Sequence, residues 1–72
     1  MKRKWEKLVA DAKARGMNVF KRGGWTYVLR GKTSRSVGIV ILEDDTALRT
    51  DVRLDLAVSI RTAKLARKIL GL

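Results

Sequence analysis

The side chains of this sequence that could do chemistry fall into four groups. The first is the run Glu43-Asp44-Asp45, with Asp51 and Asp55 downstream. Adjacent carboxylates on extended backbone point to alternate sides, so the ordinary reading is a solvated turn, which Asp favours. The sharper reading is a hard-cation site completed by Asp51 or Asp55. The chain has no His and no Cys, which removes the usual acid–base and nucleophile pairings. We expect no enzyme, no metal site and no cofactor.

The second group, Gly31-Lys32-Thr33, looks like the end of a phosphate-binding loop. That motif needs a Gly five positions before its second Gly and a helix after it. Thr26 stands at the first place and an apolar strand follows, so a nucleotide loop is excluded. As a polar connector, Gly31 to Ser36 still offers Lys32 and Arg35, with Thr33, Ser34 and Ser36, to phosphate oxygens.

The third group is Trp25 and Tyr27 on one face of a strand, with Lys21, Arg22 and Arg30 nearby. Exposed, the two rings would form a stacking platform for bases. Packing beneath a helix is the commoner fate of aromatics in so small a protein. In that case Phe20 and Val28 would take the other face with Thr26 and Arg30. The fourth group is the strip Arg61, Lys64 and Lys68, with Arg67 beside it. A charge run is ordinarily a solvated face, but no acid after Asp55 balances this one. Lys2, Arg3 and Lys4 either fray into solvent or serve as a phosphate-binding arm.

Charge is spread unevenly around these groups. Residues 1–42 hold eleven Lys/Arg against two acids, residues 43–55 five acids against two Arg, and the remainder four cations and no acid, for a net +10. That surplus on 72 residues attracts polyanions, so nucleic acid, DNA or RNA, is the expected partner class. An apolar fraction of 46% belongs to a folded chain. The length allows one domain, spanning residues 1–72, near the lower limit for an unstapled core. A homodimer would enlarge that core. The basic start is followed by charged Glu6, Lys7, Asp11 and Lys13 where a signal peptide needs an apolar run, and no stretch is long and apolar enough for a membrane span. The chain reads as soluble and cytoplasmic.

The elements that must position these groups follow from periodicity. Trp5, Leu8, Val9 and Ala12 share one helical stripe, predicting a helix over about residues 2–15 with Gly16 as its left-handed cap. Lys7, Asp11 and Arg15, at four-residue steps, can pair along its surface. The period then changes to two. Strands are predicted at Met17–Arg22 and Trp25–Arg30, joined by a Gly23-Gly24 turn. The run Val37–Leu42 is apolar on both faces and predicts a central strand covered on each side. Residues 46–51 read either as a fourth strand or as a lead-in to the last helix; we favour a strand to about residue 50. A helix is expected over 52–70, capped by Asp51 and ended by Gly71. Val52, Leu56, Ile60, Ala63, Ala66 and Leu70 would form one apolar face. Leu54, Val58, Leu65 and Ile69 would form a second, able to meet the first helix or another subunit.

The order of helix, three antiparallel strands and helix in a basic chain of this size resembles the double-stranded RNA-binding domain. That likeness of topology implies phosphate contacts from a Lys cluster at the start of the second helix. The expected start here, Asp51-Val52-Arg53-Leu54-Asp55, has no net positive charge. Asp45 to Val52, Ile60 to Lys64 and Leu70-Gly71-Leu72 resemble the C-terminal half of small uncharacterised bacteriophage and prophage proteins. That resemblance implies a host protein or a nucleic acid as partner. The expectation is an α+β fold, a meander of three or four strands flanked by helices. Its expected function is a non-catalytic nucleic-acid-binding module using Lys21, Arg22, Trp25, Tyr27, Arg30, Lys32, Arg35, Arg61, Lys64 and Lys68. The alternative is a protein-binding or self-associating module acting on a host protein.

Overall fold

The computed structural model describes residues 1–33, 36–53 and 56–72. The elements run α1 (Arg3–Ala14), β1 (Asn18–Arg22), β2 (Trp25–Leu29), β3 (Gly38–Ile41), β4 (Ala47–Arg49) and α2 (Ala63–Leu70). The strands form one antiparallel sheet in the order β1-β2-β3-β4, so the expected α+β meander is borne out with its fourth strand present.

Each turn has a local cause. Gly23 and Gly24, at φ 59° and 83°, take the doubly positive backbone that a tight two-residue hairpin requires. Gly38 serves close approach instead. A Cβ there would collide with the Val28 carbonyl oxygen and lie 2.8 Å from the Leu29 Cα. The turn from β3 to β4 holds Asp45 at φ 68°, a left-handed conformation that Asp tolerates better than most residues. Its neighbour Asp44 accepts the Thr46 amide at 3.0 Å.

Both helices pack on one face of the sheet. Trp5, Leu8 and Ala12 of α1 and Ala66 and Leu70 of α2 join Val28, Ile39, Ile41 and Ala47 in the core. Ala12, Ala47 and Ala66 have no exposed surface, and their small side chains let helix and sheet backbones come close. Trp5 fills the largest share of this core, and its indole donates to the Asp45 carbonyl at 3.0 Å. The Lys2 amide donates to the Asp45 carboxylate at 2.9 Å. The acidic turn therefore latches the start of α1 to the far end of the sheet.

The last helix corrects the expected one. It starts at Ala63, not at residue 52, and Thr62 is its cap, its hydroxyl accepting the Leu65 amide at 3.2 Å. Gly71, at φ 76°, ends it as expected. Ile60 explains the late start: it pairs with Ala47 as an isolated antiparallel bridge, its amide donating to the Ala47 carbonyl at 2.7 Å. An N–H committed to the edge of β4 cannot serve a helix turn. Asp51, the expected cap, instead receives two hydrogen bonds from Arg49, at 2.9 and 2.7 Å. Among the described residues the two-faced apolar helix does not form: Leu56 and Val58 precede α2 and are 66% and 82% exposed, and Leu54 lies outside the described residues. Asp11 does not pair along α1 either. It accepts from Arg67 of α2 at 2.6 Å, tying the two helices together.

Thr62→Ala is expected to lower unfolding stability by about 1 kcal/mol, the usual cost of losing an N-cap hydroxyl, measurable by urea titration. Asp51→Ala, by contrast, should change it by less than about half that, since an exposed ion pair is worth little.

Candidate nucleic-acid interface

No described helix covers the other face of the sheet. The register builds a row across all four strands: Phe20 opposite Tyr27, Tyr27 opposite Val40, and Val40 opposite Leu48. Trp25 and Leu29 flank Tyr27 on β2, and Arg22 stands opposite Trp25. Phe20, Trp25, Tyr27 and Leu48 are half-buried, while Val40 and Leu29 keep only 3% of their surface. Among the described residues, the central strand is thus covered on this side by its neighbours' bulky side chains rather than by a further layer.

The aromatic geometry is well defined. The Phe20 and Tyr27 rings stack with centroids 4.9 Å apart and planes 5° from parallel. The Arg22 guanidinium carbon lies 5.5 Å from the Phe20 centroid, within cation–π range. An open depression lined by Asn18, Phe20, Arg22, Leu29 and Lys32 reaches one member of the ring pair. A second, lined by Trp25, Tyr27, Val40, Arg49, Thr50 and Val52, reaches the other.

The sequence-predicted residues divide between the two sides of the sheet. Arg22, Trp25, Tyr27 and Lys32 belong to the open face. Trp25 and Tyr27 therefore do not pack beneath either described helix. Phe20, expected opposite to them, shares their face, because the two-residue Gly23-Gly24 turn sets Phe20 directly across from Tyr27. Lys21 pairs with Thr26 on the helix-covered face and shares a depression with Glu43 and Asp45. The Arg30 guanidinium lies beside Gly71 at the C-terminus of α2, where a cation suits the helix dipole. Lys64 and Lys68 are exposed on α2 and Arg61 immediately precedes its cap, so this strip belongs to the helix layer. Arg35 and Ser34 lie outside the described residues.

Other charged groups are held by internal partners. Lys4 donates to the Arg61 carbonyl at 2.8 Å and sits 4.9 Å from the Trp5 ring centroid, so the basic N-terminus is anchored near its start. The hydrogen bond from Thr46 holds the Asp44 carboxyl below the usual aspartate value. The Arg49 guanidinium does the same for Asp51, and that carboxylate in turn raises Arg49. Among the described residues, no three His, Cys, Asp or Glu side chains gather to hold a metal ion. Asp55 lies outside them.

The fold and this face together define a two-layer α+β protein with helices on one side of its sheet and an aromatic surface on the other. No known family model, curated protein or solved structure matches the chain significantly. Among the described residues, no helix is long and apolar enough to cross a membrane.

Proposed function

We propose that this protein is a non-catalytic nucleic-acid-binding module whose contact surface is the open face of the sheet. One observation carries this reading: the face that carries no described helix presents Phe20, Trp25 and Tyr27 with Arg22 and Lys32 at its border. Aromatic rings offer sequence-tolerant stacking to bases, and the flanking cations suit phosphates. The net charge of +10 draws a polyanion to the molecule from a distance. Compared with the sequence-based expectation, the contact set proposed among the described residues omits Lys21, Arg30, Arg61, Lys64 and Lys68 and adds Phe20. The Arg61, Lys64 and Lys68 strip adds to the attracting field from the other side.

Binding to an oligonucleotide is expected to weaken about tenfold or more between low and physiological salt, because each engaged phosphate releases counterions. Fluorescence anisotropy across a salt series measures this. Affinity that ignored salt would be inconsistent with phosphate contacts.

A second reading, a protein-binding or self-associating module, draws on the exposed Leu56, Val58 and Leu65. Light scattering on the free protein separates the two. A tight dimer that retains no oligonucleotide would favour the second reading.

A further inference from the structure

The geometry points to single-stranded nucleic acid as the ligand of the open face, its unpaired bases continuing the Phe20–Tyr27 stack. This inference rests on the nucleic-acid reading above and makes it specific. Phe20 and Tyr27 already lie parallel at stacking distance, and each borders an open depression. A flat aromatic added on the Tyr27 side would extend an existing stack, and one added at Phe20 would take the place of the Arg22 guanidinium that lies over that ring. Duplex bases present only their edges to a protein surface, their flat faces being stacked on one another. Bases of a single strand are free to be splayed out and stacked on aromatic side chains.

Polar groups are placed to suit this ligand. Arg22 and Lys32 line the depression at Phe20, so a base seated there brings its phosphate towards two cations. At Tyr27 the lining cation is Arg49, already paired with Asp51, which makes that depression closer to neutral and better suited to a base than to a phosphate. The backbone of the strand should therefore run along the β1 side of the sheet. A second copy of this chain is a poorer occupant. Pairing by this face would bring together two molecules of net charge +10 each, and like charges across an interface are unfavourable.

Anisotropy titrations with labelled oligothymidylate and oligouridylate of about twelve nucleotides, a length within the usual single-strand site size, test the inference against a mixed-sequence duplex of equal length. Single strands are expected to bind about tenfold or more tighter than the duplex at the same salt. The two single strands show whether DNA or RNA is preferred. Phe20→Leu with Tyr27→Leu keeps the apolar bulk but removes both rings, and should bring single-strand affinity down to the duplex level. Tyr27→Phe should retain the preference, and Lys13→Gln on the outside of α1 serves as a charge control. Circular dichroism checks that each variant is folded. Equal or tighter binding to the duplex, or indifference to loss of the rings, would overturn the single-strand inference while leaving nucleic-acid binding in place. Failure of every oligonucleotide to bind would remove both.

Discussion

Replacing Trp25 and Tyr27 together by Ala is expected to weaken binding of a single-stranded oligonucleotide on the order of a hundredfold. A base stacked on an aromatic side chain is worth about 1–3 kcal/mol by alanine substitution, and the pair removes two such surfaces. The rings project from the face that carries no described helix, away from the core of Trp5, Leu8, Val28, Ile39, Ile41 and Leu70. The variant should therefore stay folded, although Val40, now 3% exposed, would lose cover. Anisotropy reads the affinity, and far-ultraviolet circular dichroism reads the fold. Unchanged affinity in a folded variant would mean that nucleic acid does not use this face.

The largest effect on stability is expected from Trp5→Ala. Trp5 is 1% exposed in the centre of the core, and truncating a large buried aromatic costs about 3–5 kcal/mol. The change also leaves the Asp45 carbonyl without its indole donor. A domain of this size stands at the low end of the usual range of roughly 5–15 kcal/mol, so most of its stability would go. Thermal denaturation should show a melting point lowered by roughly 12–40 °C, at about 4–8 °C per kcal/mol for a domain of this size. Trp5→Phe, which keeps apolar bulk but not the hydrogen bond, should cost about 1–2 kcal/mol beyond any change in packing. A Trp5→Ala protein that melted within a few degrees of the parent would contradict the placement of Trp5 as the keystone of the helix layer.

Periodicity made most of the fold legible. The i, i+3, i+4, i+7 stripe of Trp5, Leu8, Val9 and Ala12 is sufficient to place α1, and Gly23-Gly24 sets the first hairpin. That turn carried more information than its position. A two-residue loop pairs Arg22 with Trp25 and therefore Phe20 with Tyr27, so the shared face of the two rings followed from the turn alone. Helical spacing misled at the other end of the chain. Val52, Leu56 and Ile60 fit a helical stripe, yet Ile60 is held by a hydrogen bond to Ala47, thirteen positions away, and such a partner leaves no mark on local spacing. Thr62, two residues later, was the available signal for the true start.

Which face the helices would cover was not legible, because β2 offers apolar residues on both sides. The register decides it. Val19, Val28, Ile39, Ile41 and Ala47 make a low aliphatic surface on which Ala12 and Ala66 can sit closely. The ring-bearing row is too tall for that approach. The role of the acidic turn was hidden for a similar reason. Its use as a latch for α1 joins residues 40 or more positions apart.

The partition of the basic residues between the two layers is the consequence that matters most for function. Among the described cations expected to bind, only Arg22 and Lys32 line the open face near the rings. The measurement that tests the account most directly is a titration of isotopically labelled protein with oligothymidylate, followed through its two tryptophan indole N–H signals. Trp25 lies on the open face, and Trp5 is buried under the opposite one. The account predicts large shifts for the Trp25 indole and for the amides of Phe20, Arg22 and Tyr27, with Trp5 almost unmoved. Shifts concentrated at Lys64 and Lys68 of α2, with Trp25 unchanged, would contradict it.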